Sequence, residues 1–176
     1  SKELIGNIVR TPTIRSQHLS SEINGEVFLK LENLQYTSSF KVRGAYTSII
    51  RLKEEQKKMG VIAMSAGNHA QAVAWWAKKE RVNATIVMPE HAPLFKVMKT
   101  KSLGADVILR GRTLNESQTY VSELVNDKKL TLIHPYDDPN VVIGQGTLGL
   151  EFMADVKDLD ILVIPIGGGG LISGIS

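Results

Sequence analysis

Apolar runs of four to six residues alternate with longer stretches that mix apolar and charged positions, and this alternation fills most of the 176 residues. The runs at 27–31, 61–65, 84–88, 105–109, 130–133 and 161–166 predict strands, the last of them buried. The mixed stretches at 43–59, 68–79, 93–103, 114–126 and 141–156 predict helices, with Gly60 and Gly104 placed as stops. Within 114–126 the apolar residues Leu114, Val121, Leu124 and Val125 recur near helical spacing. Two prolines and two aspartates predict a connecting loop over 134–139, and residues 171–176 open a further helix.

Strands alternating with helices build a parallel sheet with crossover connections, so the expected class is α/β. Residues 47–138 are expected to form a small α/β lobe. Residues 1–46 and 139–176 then belong to a larger lobe that the chain leaves and re-enters. Ligands of such sheets collect at the carboxyl ends of the strands. Two glycine-bearing turns fall there, at 65–67 and 167–170.

Composition narrows the classes. With 43% hydrophobic and 22% charged residues the chain can bury a sizeable core and is not a disordered segment. The formal charge of +3 is scattered, with Lys57-Lys58, Lys78-Lys79 and Lys128-Lys129 near helix ends, which favours solvated helix surface over a nucleic-acid face. Without cysteine there is no disulfide framework, thiolate metal site or cysteine nucleophile. Residues 1–6 lack the long apolar core of a secretory leader, and no stretch reaches the roughly 18 apolar residues of a membrane span. A soluble, cytoplasmic protein is expected.

Three segments carry candidate chemistry. Gly167, Gly168, Gly169 and Gly170 follow an apolar run and precede a helix start, so their backbone N–H groups could converge on an anion, or simply make a tight turn. Neither the dinucleotide fingerprint nor the P-loop fits, because Ile172 or Ser173 stands at the third glycine place and no lysine follows. Lys41, in Thr37-Ser-Ser-Phe-Lys-Val-Arg-Gly-Ala45, falls at or just before a helix start beside Arg43. Both the dipole and the arginine disfavour its ammonium form, as suits a nucleophilic amine. In Ser65-Ala-Gly-Asn-His-Ala-Gln71, backbone N–H groups, the Ser65 hydroxyl and the Asn68 amide could hold a carboxylate or phenolic oxygen. Ordinary N-capping by Ser65 or Asn68 would explain that loop as well.

Together these segments resemble the fold-type II pyridoxal-phosphate enzymes, and within them the threonine/serine dehydratase (ammonia-lyase) group, especially the short catabolic threonine dehydratases. Thr11-Pro12, Lys30-Leu-Glu-Asn33, His134-Pro-Tyr-Asp-Asp138 and Gly144-Gln-Gly-Thr147 belong to the same pattern, in family order over nearly the whole chain. The resemblance implies a tryptophan synthase β-like fold of two open, twisted, mostly parallel sheets with flanking helices. It also implies pyridoxal 5'-phosphate as cofactor, with Lys41 carrying the internal Schiff base and acting on the substrate α-proton. Phe40 would lie against the ring, Asn68 would meet the phenolic oxygen, and Gly167, Gly168, Gly169, Gly170 and Leu171 would hold the phosphate. Ser65, Ala66, Gly67, Asn68 and His69 would line the substrate carboxylate site. The implied reaction turns threonine into 2-oxobutyrate, or serine into pyruvate, with release of ammonia.

Close relatives differ at a few positions. Serine racemases place a serine where this chain has Ala66, so one-faced chemistry is expected, with a racemase-like enzyme as the alternative. The cysteine synthase branch shows Lys-Asp-Arg and Ser-Gly-Asn-Thr where this chain has Lys41-Val-Arg43 and Gly67-Asn-His69. Family members run to about twice this length, so the large lobe is expected to be truncated, with the residues at the pyridine nitrogen and any metal ligands beyond Ser176. A homodimer or homotetramer and a nucleotide effector are further family expectations, and no nucleic acid or membrane partner is expected. A fragment acting only in binding or assembly, and a non-catalytic anion-binding domain, are the readings from other classes.

Overall fold

The structure is a computed structural model that describes residues 4–176, without the side chain of Leu114. Ser1, Lys2 and Glu3, which open the segment read for a leader, and the Leu114 side chain read as part of a helix face, lie outside the described residues. The chain runs β1 (Thr13–Arg15), α1 (Gln17–Ile23), β2 (Phe28–Lys30), a 3₁₀ turn (Glu32–Leu34), α2 (Lys41–Ile50) and α3 (Glu54–Met59). It continues with β3 (Val61–Met64), α4 (Asn68–Lys79), β4 (Ala84–Met88), α5 (Leu94–Ser102) and β5 (Asp106–Leu109). Last come α6 (Leu114–Lys128), β6 (Thr131–Leu132), α7 (Pro139–Asp155) and α8 (Gly170–Ile175). No helix of the described residues is long and apolar enough to cross a membrane.

The central sheet is parallel, in the order β5-β4-β3-β6. Its middle strands are apolar on both faces, as a sheet covered by helices on both sides requires. Val61, Ala63, Ile86 and Met88 face a core shared with Val73 and Trp76 of α4 and Ile49 of α2. Their neighbours Ile62 and Val87 point the other way, onto Val121 and Leu124 of α6. The second sheet is the antiparallel pair β1–β2, registered Thr13↔Lys30, so among the described residues it is not the parallel sheet expected for the larger lobe.

Two elements depart from the pattern read in the sequence. The helix expected over 43–59 is two helices, because Lys53 is extended (φ −66°, ψ 154°) and its N–H is taken by Gln56 Oε1 at 2.9 Å, which starts α3 afresh. The run 161–166 is no strand: Ile161, Val163 and Ile166 are 77%, 93% and 67% exposed. Extended backbone becomes a strand only when a neighbour takes its hydrogen bonds, and none among the described residues does. A smaller difference is that α7 starts at Pro139 rather than 141, since Asp138 accepts the N–H groups of Asn140 and Val141 and proline suits the first helical position.

The two segments flanking the sheet are joined by a buried cation. Arg43, on α2, has no exposed surface. Its guanidinium donates to Glu32 at 2.8 and 2.9 Å, to Glu151 twice at 2.8 Å and to Thr147 Oγ1 at 3.2 Å. Lys30 bridges Glu151 at 3.2 Å and Asp155 at 2.9 Å, and Asp155 also takes Thr13 Oγ1 at 2.6 Å and Arg10. Glu151 and Asp155 lie in the last turns of α7, where the helix dipole opposes a carboxylate, so the three cations there are needed. Burial pushes the Glu151 carboxyl up, but Arg43 and Lys30 outweigh it and hold it below its ordinary value. Asp155 is likewise held well below, by Thr13, Lys30 and Arg10 against burial.

Helices α2 and α7 meet backbone to backbone. A Cβ on Gly144 would stand 2.5 Å from the Arg43 carbonyl oxygen and 2.6 Å from Gly44 Cα. Gly144→Ala is therefore expected to lower unfolding stability by about 2 kcal/mol, since overpacking outweighs alanine's better helix propensity. A denaturant midpoint equal to wild type would contradict the contact. Depressed carboxylates bind fewer protons in the folded than in the unfolded state, so the stability they give is full above about pH 4 and drains away below it. Glu151→Gln is expected to flatten that acid slope in urea titrations from pH 7 to 3, while parallel slopes would remove Glu151 from the account.

Candidate active site

The strand order reverses between β3 and β6: β4 and β5 extend the sheet on one side of β3 and β6 joins on the other. A crevice opens outside the carboxyl ends of strands at such a switch point. Two connections leave from there, residues 65–67 before α4 and residues 133–138 before α7.

Lys41 reaches this crevice from α2. The chain turns sharply before it, with Ser38 at φ 58° donating its N–H to Gln35 O and Tyr36 O, both at 2.8 Å. Lys41 is the first residue of the helix, and its Nζ donates to the Pro135 carbonyl at 2.7 Å. The Phe40 ring lies beside the same amine, 5.4 Å from centroid to Nζ. The amine's pKa is lowered, as expected, but the cause is burial. Arg43 does not act on it as the sequence suggested, because both edges of that guanidinium are taken by Glu32 and Glu151.

The loop after β3 brings a second set of groups. Gly67 is the N-cap of α4 and no side chain caps the helix, so neither Ser65 nor Asn68 plays that part. Ser65 Oγ instead accepts the Gly67 N–H at 3.1 Å. Asn68 is exposed, and Ala66 and Gly67 are half-buried. A Cβ on Gly67 would meet nothing closer than Ser65 Oγ at 4.0 Å, which marks open space in front of the helix. His69 is buried, its Nε2 2.8 Å from the Ile133 carbonyl. Nε2 is therefore the protonated nitrogen, and Nδ1 is buried with no partner among the described residues. Burial lowers the His69 pKa to about 4.

The glycine run arrives through Tyr136. A Cβ on Gly168 would fall 2.1 Å from the Tyr136 ring, and one on Gly170 2.8 Å from Tyr136 Cα, so both glycines are demanded by packing. Gly169 is at φ 90°, where side chains are strained, and Gly167 faces open space. Leu171 is buried and offers only its backbone. Pro135 receives Lys41 while its neighbour Tyr136 covers the glycines, so one short segment joins the three sequence motifs. Neither residue was picked out as a site residue in the sequence; a proline- and aspartate-rich loop leaving the last strand of a parallel sheet was the available signal.

Residues 4–176 match the family described as pyridoxal-phosphate dependent enzyme. The chain belongs to that family. It is 54% identical over 170 residues to a catabolic L-threonine dehydratase of Staphylococcus aureus, covering 96% of this chain and 49% of that protein. Its structure is similar to the processed form of threonine deaminase isoform 2 from Solanum lycopersicum, with a TM-score of 0.92, 42% identity and 96% of this chain against 46% of that one. It is also similar to maize serine racemase, with a TM-score of 0.95, 36% identity and 99% against 53% coverage. The chain thus has the α/β fold of the fold-type II pyridoxal-phosphate enzymes and spans about half the length of the curated relatives it matches.

The residues fit the family's cofactor. A half-buried amine of lowered pKa, an aromatic ring beside it and open backbone at Gly67 and Gly167 suit an aldehyde, a flat ring and an anion. Ser39 Oγ, two residues before Lys41, is buried with no partner among the described residues, as are Thr37 Oγ1 and Gln71 Oε1. Such orphans cost free energy unless a ligand or water meets them. His69 is expected to stay neutral at and around pH 7: in NMR titrations its imidazole should protonate near pH 4. An ordinary value near 6.5 would disprove its burial against Ile133.

Proposed function

We propose that this chain is the cofactor-binding part of a pyridoxal-phosphate-dependent ammonia-lyase that converts L-threonine to 2-oxobutyrate and ammonia, and L-serine to pyruvate and ammonia. The observation that carries the reading is the Lys41 amine, half-buried at a helix start and held by the Pro135 carbonyl at the sheet's switch point. Bound pyridoxal phosphate would supply an electron sink for the pair left when the substrate loses its α-proton. Lys41 would hold the cofactor and then accept that proton, and burial, which lowers the amine's pKa, favours the uncharged form that both tasks need. Phe40 would flank the ring, and Asn68 would donate its amide to the phenolic oxygen. Backbone N–H groups of Gly167, Gly168, Gly169, Gly170 and Leu171 would hold the phosphate.

Ser65, Ala66, Gly67, Asn68 and His69 would receive the substrate carboxylate. The uncapped first turn of α4 leaves N–H donors free for it. Racemisation is the second reading, favoured by the likeness to maize serine racemase. It needs another proton-bearing group besides the lysine, and Ala66 has none.

The domain division belongs to the same proposal: residues 1–46 and 139–176 in one lobe, 47–138 in the other, which contains the whole parallel sheet. A homodimer or homotetramer, a nucleotide effector and a cytoplasmic setting rest on family likeness alone. With the protein as the cell makes it, saturation with pyridoxal phosphate should give an absorbance band at the edge of the visible, and threonine should yield 2-oxobutyrate. Lys41→Ala should abolish the band and cut turnover at least a thousandfold, on the order of what loss of a catalytic group removes. Folded protein that shows neither band nor product would end this reading.

A further inference from the structure

One imidazole in the crevice has a role that the chemistry above does not use. His134 Nδ1 accepts the backbone N–H of Asp137 at 2.8 Å and that of Tyr136 at 3.4 Å. Both partners are donors, so Nδ1 carries the lone pair and Nε2 the proton. The ring also meets the Tyr136 ring edge-on, with centroids 4.6 Å apart. These contacts close residues 134–137 into a turn that presents two groups. One is the Pro135 carbonyl, 2.7 Å from Lys41 Nζ, and the other is the Tyr136 ring against Gly168 and Gly170.

We propose that His134 is a positioning residue for Lys41, acting through the Pro135 carbonyl, and that it does so only while Nδ1 is unprotonated. The proposal rests on Lys41 being the cofactor-bearing lysine. A proton on Nδ1 would point at the N–H of Asp137, setting donor against donor, and the turn must then open. Opening carries the Pro135 carbonyl away from Lys41 and Tyr136 away from the glycines. The titratable groups around the turn are Lys41 from α2, His69 from α4, and Tyr136, Asp137 and Asp138 on the turn itself. The glycine run and α8 contribute none. Asp138 is occupied by the N–H groups of Asn140 and Val141 and by Ser48 Oγ at 3.1 Å. His69 stays neutral down to about pH 4, so it adds no charge beside the turn above that.

The test compares wild type with His134→Asn and His134→Leu, with and without pyridoxal phosphate. An asparagine Oδ1 can accept the same N–H groups as an Asx turn but does not titrate. In cofactor-free protein, the Asp137 amide resonance should shift on acidification in wild type and stay still in His134→Asn. In the loaded protein, the rate at which the Lys41-dependent absorbance band forms should fall roughly tenfold to a hundredfold in His134→Leu. It should stay near wild type in His134→Asn, with the acid limb of its pH profile gone. A wild-type rate and pH profile in His134→Leu would overturn the proposal, as would a wild-type Asp137 amide indifferent to acid. If His134→Leu does not fold, the amide titration and the asparagine variant still decide. A band that survives Lys41→Ala would instead sink the functional reading, and the amide titration would still judge the turn.

Discussion

A guanidinium cut off from water must be met by carboxylates, and at Arg43 they come from distant parts of the chain: Glu32 before α2 and Glu151 near the end of α7. Breaking such a pair by removing one partner costs about 3–5 kcal/mol, because it leaves a buried charge uncompensated. The pairing therefore fixes α2 on α7 in a single register, and the glycines at 44 and 144 let the backbones close to that distance. Lys41 stands two residues from Arg43. The placement of the Lys41 amine follows from the placement of the buried cation.

Two of the crevice's side chains are received by backbone carbonyls. The Pro135 carbonyl receives Lys41, the Ile133 carbonyl receives His69, and open glycines stand at 67 and 167. Side chains alone would have let each motif move independently. One continuous segment, 133–137, instead ties the Lys41 amine, the start of α4 and the glycine run together. Its position is set by the hydrogen-bond ladder of β6 on β3.

The sequence carried much of this. Helix 68–79 and strand 84–88 were legible to the residue, since each is bounded by unambiguous stops and filled by local pattern. The helix starts at Lys41 and after the glycine run were legible from local pattern. Three features were not. The break at Lys53 has no Gly or Pro to announce it, and depends on a glutamine side chain three residues on. The run 161–166 has strand composition, but pairing is a property of neighbours. The sign of the effect on Lys41 was right and its cause wrong, because only the folded chain reveals that Arg43 turns away toward Glu32 and Glu151.

The Arg43 pair also sets an order on the ribosome. Arg43 and Glu151 are 108 residues apart, and Arg10 and Asp155 are 145 apart. At about 5–20 residues per second, Arg43 waits on the order of 5–20 s for its second carboxylate to be synthesised. During that time Arg43 has Glu32 to pair with, and α2 forms with its second carboxylate still missing. Completion of the site thus follows the emergence of the last turns of α7.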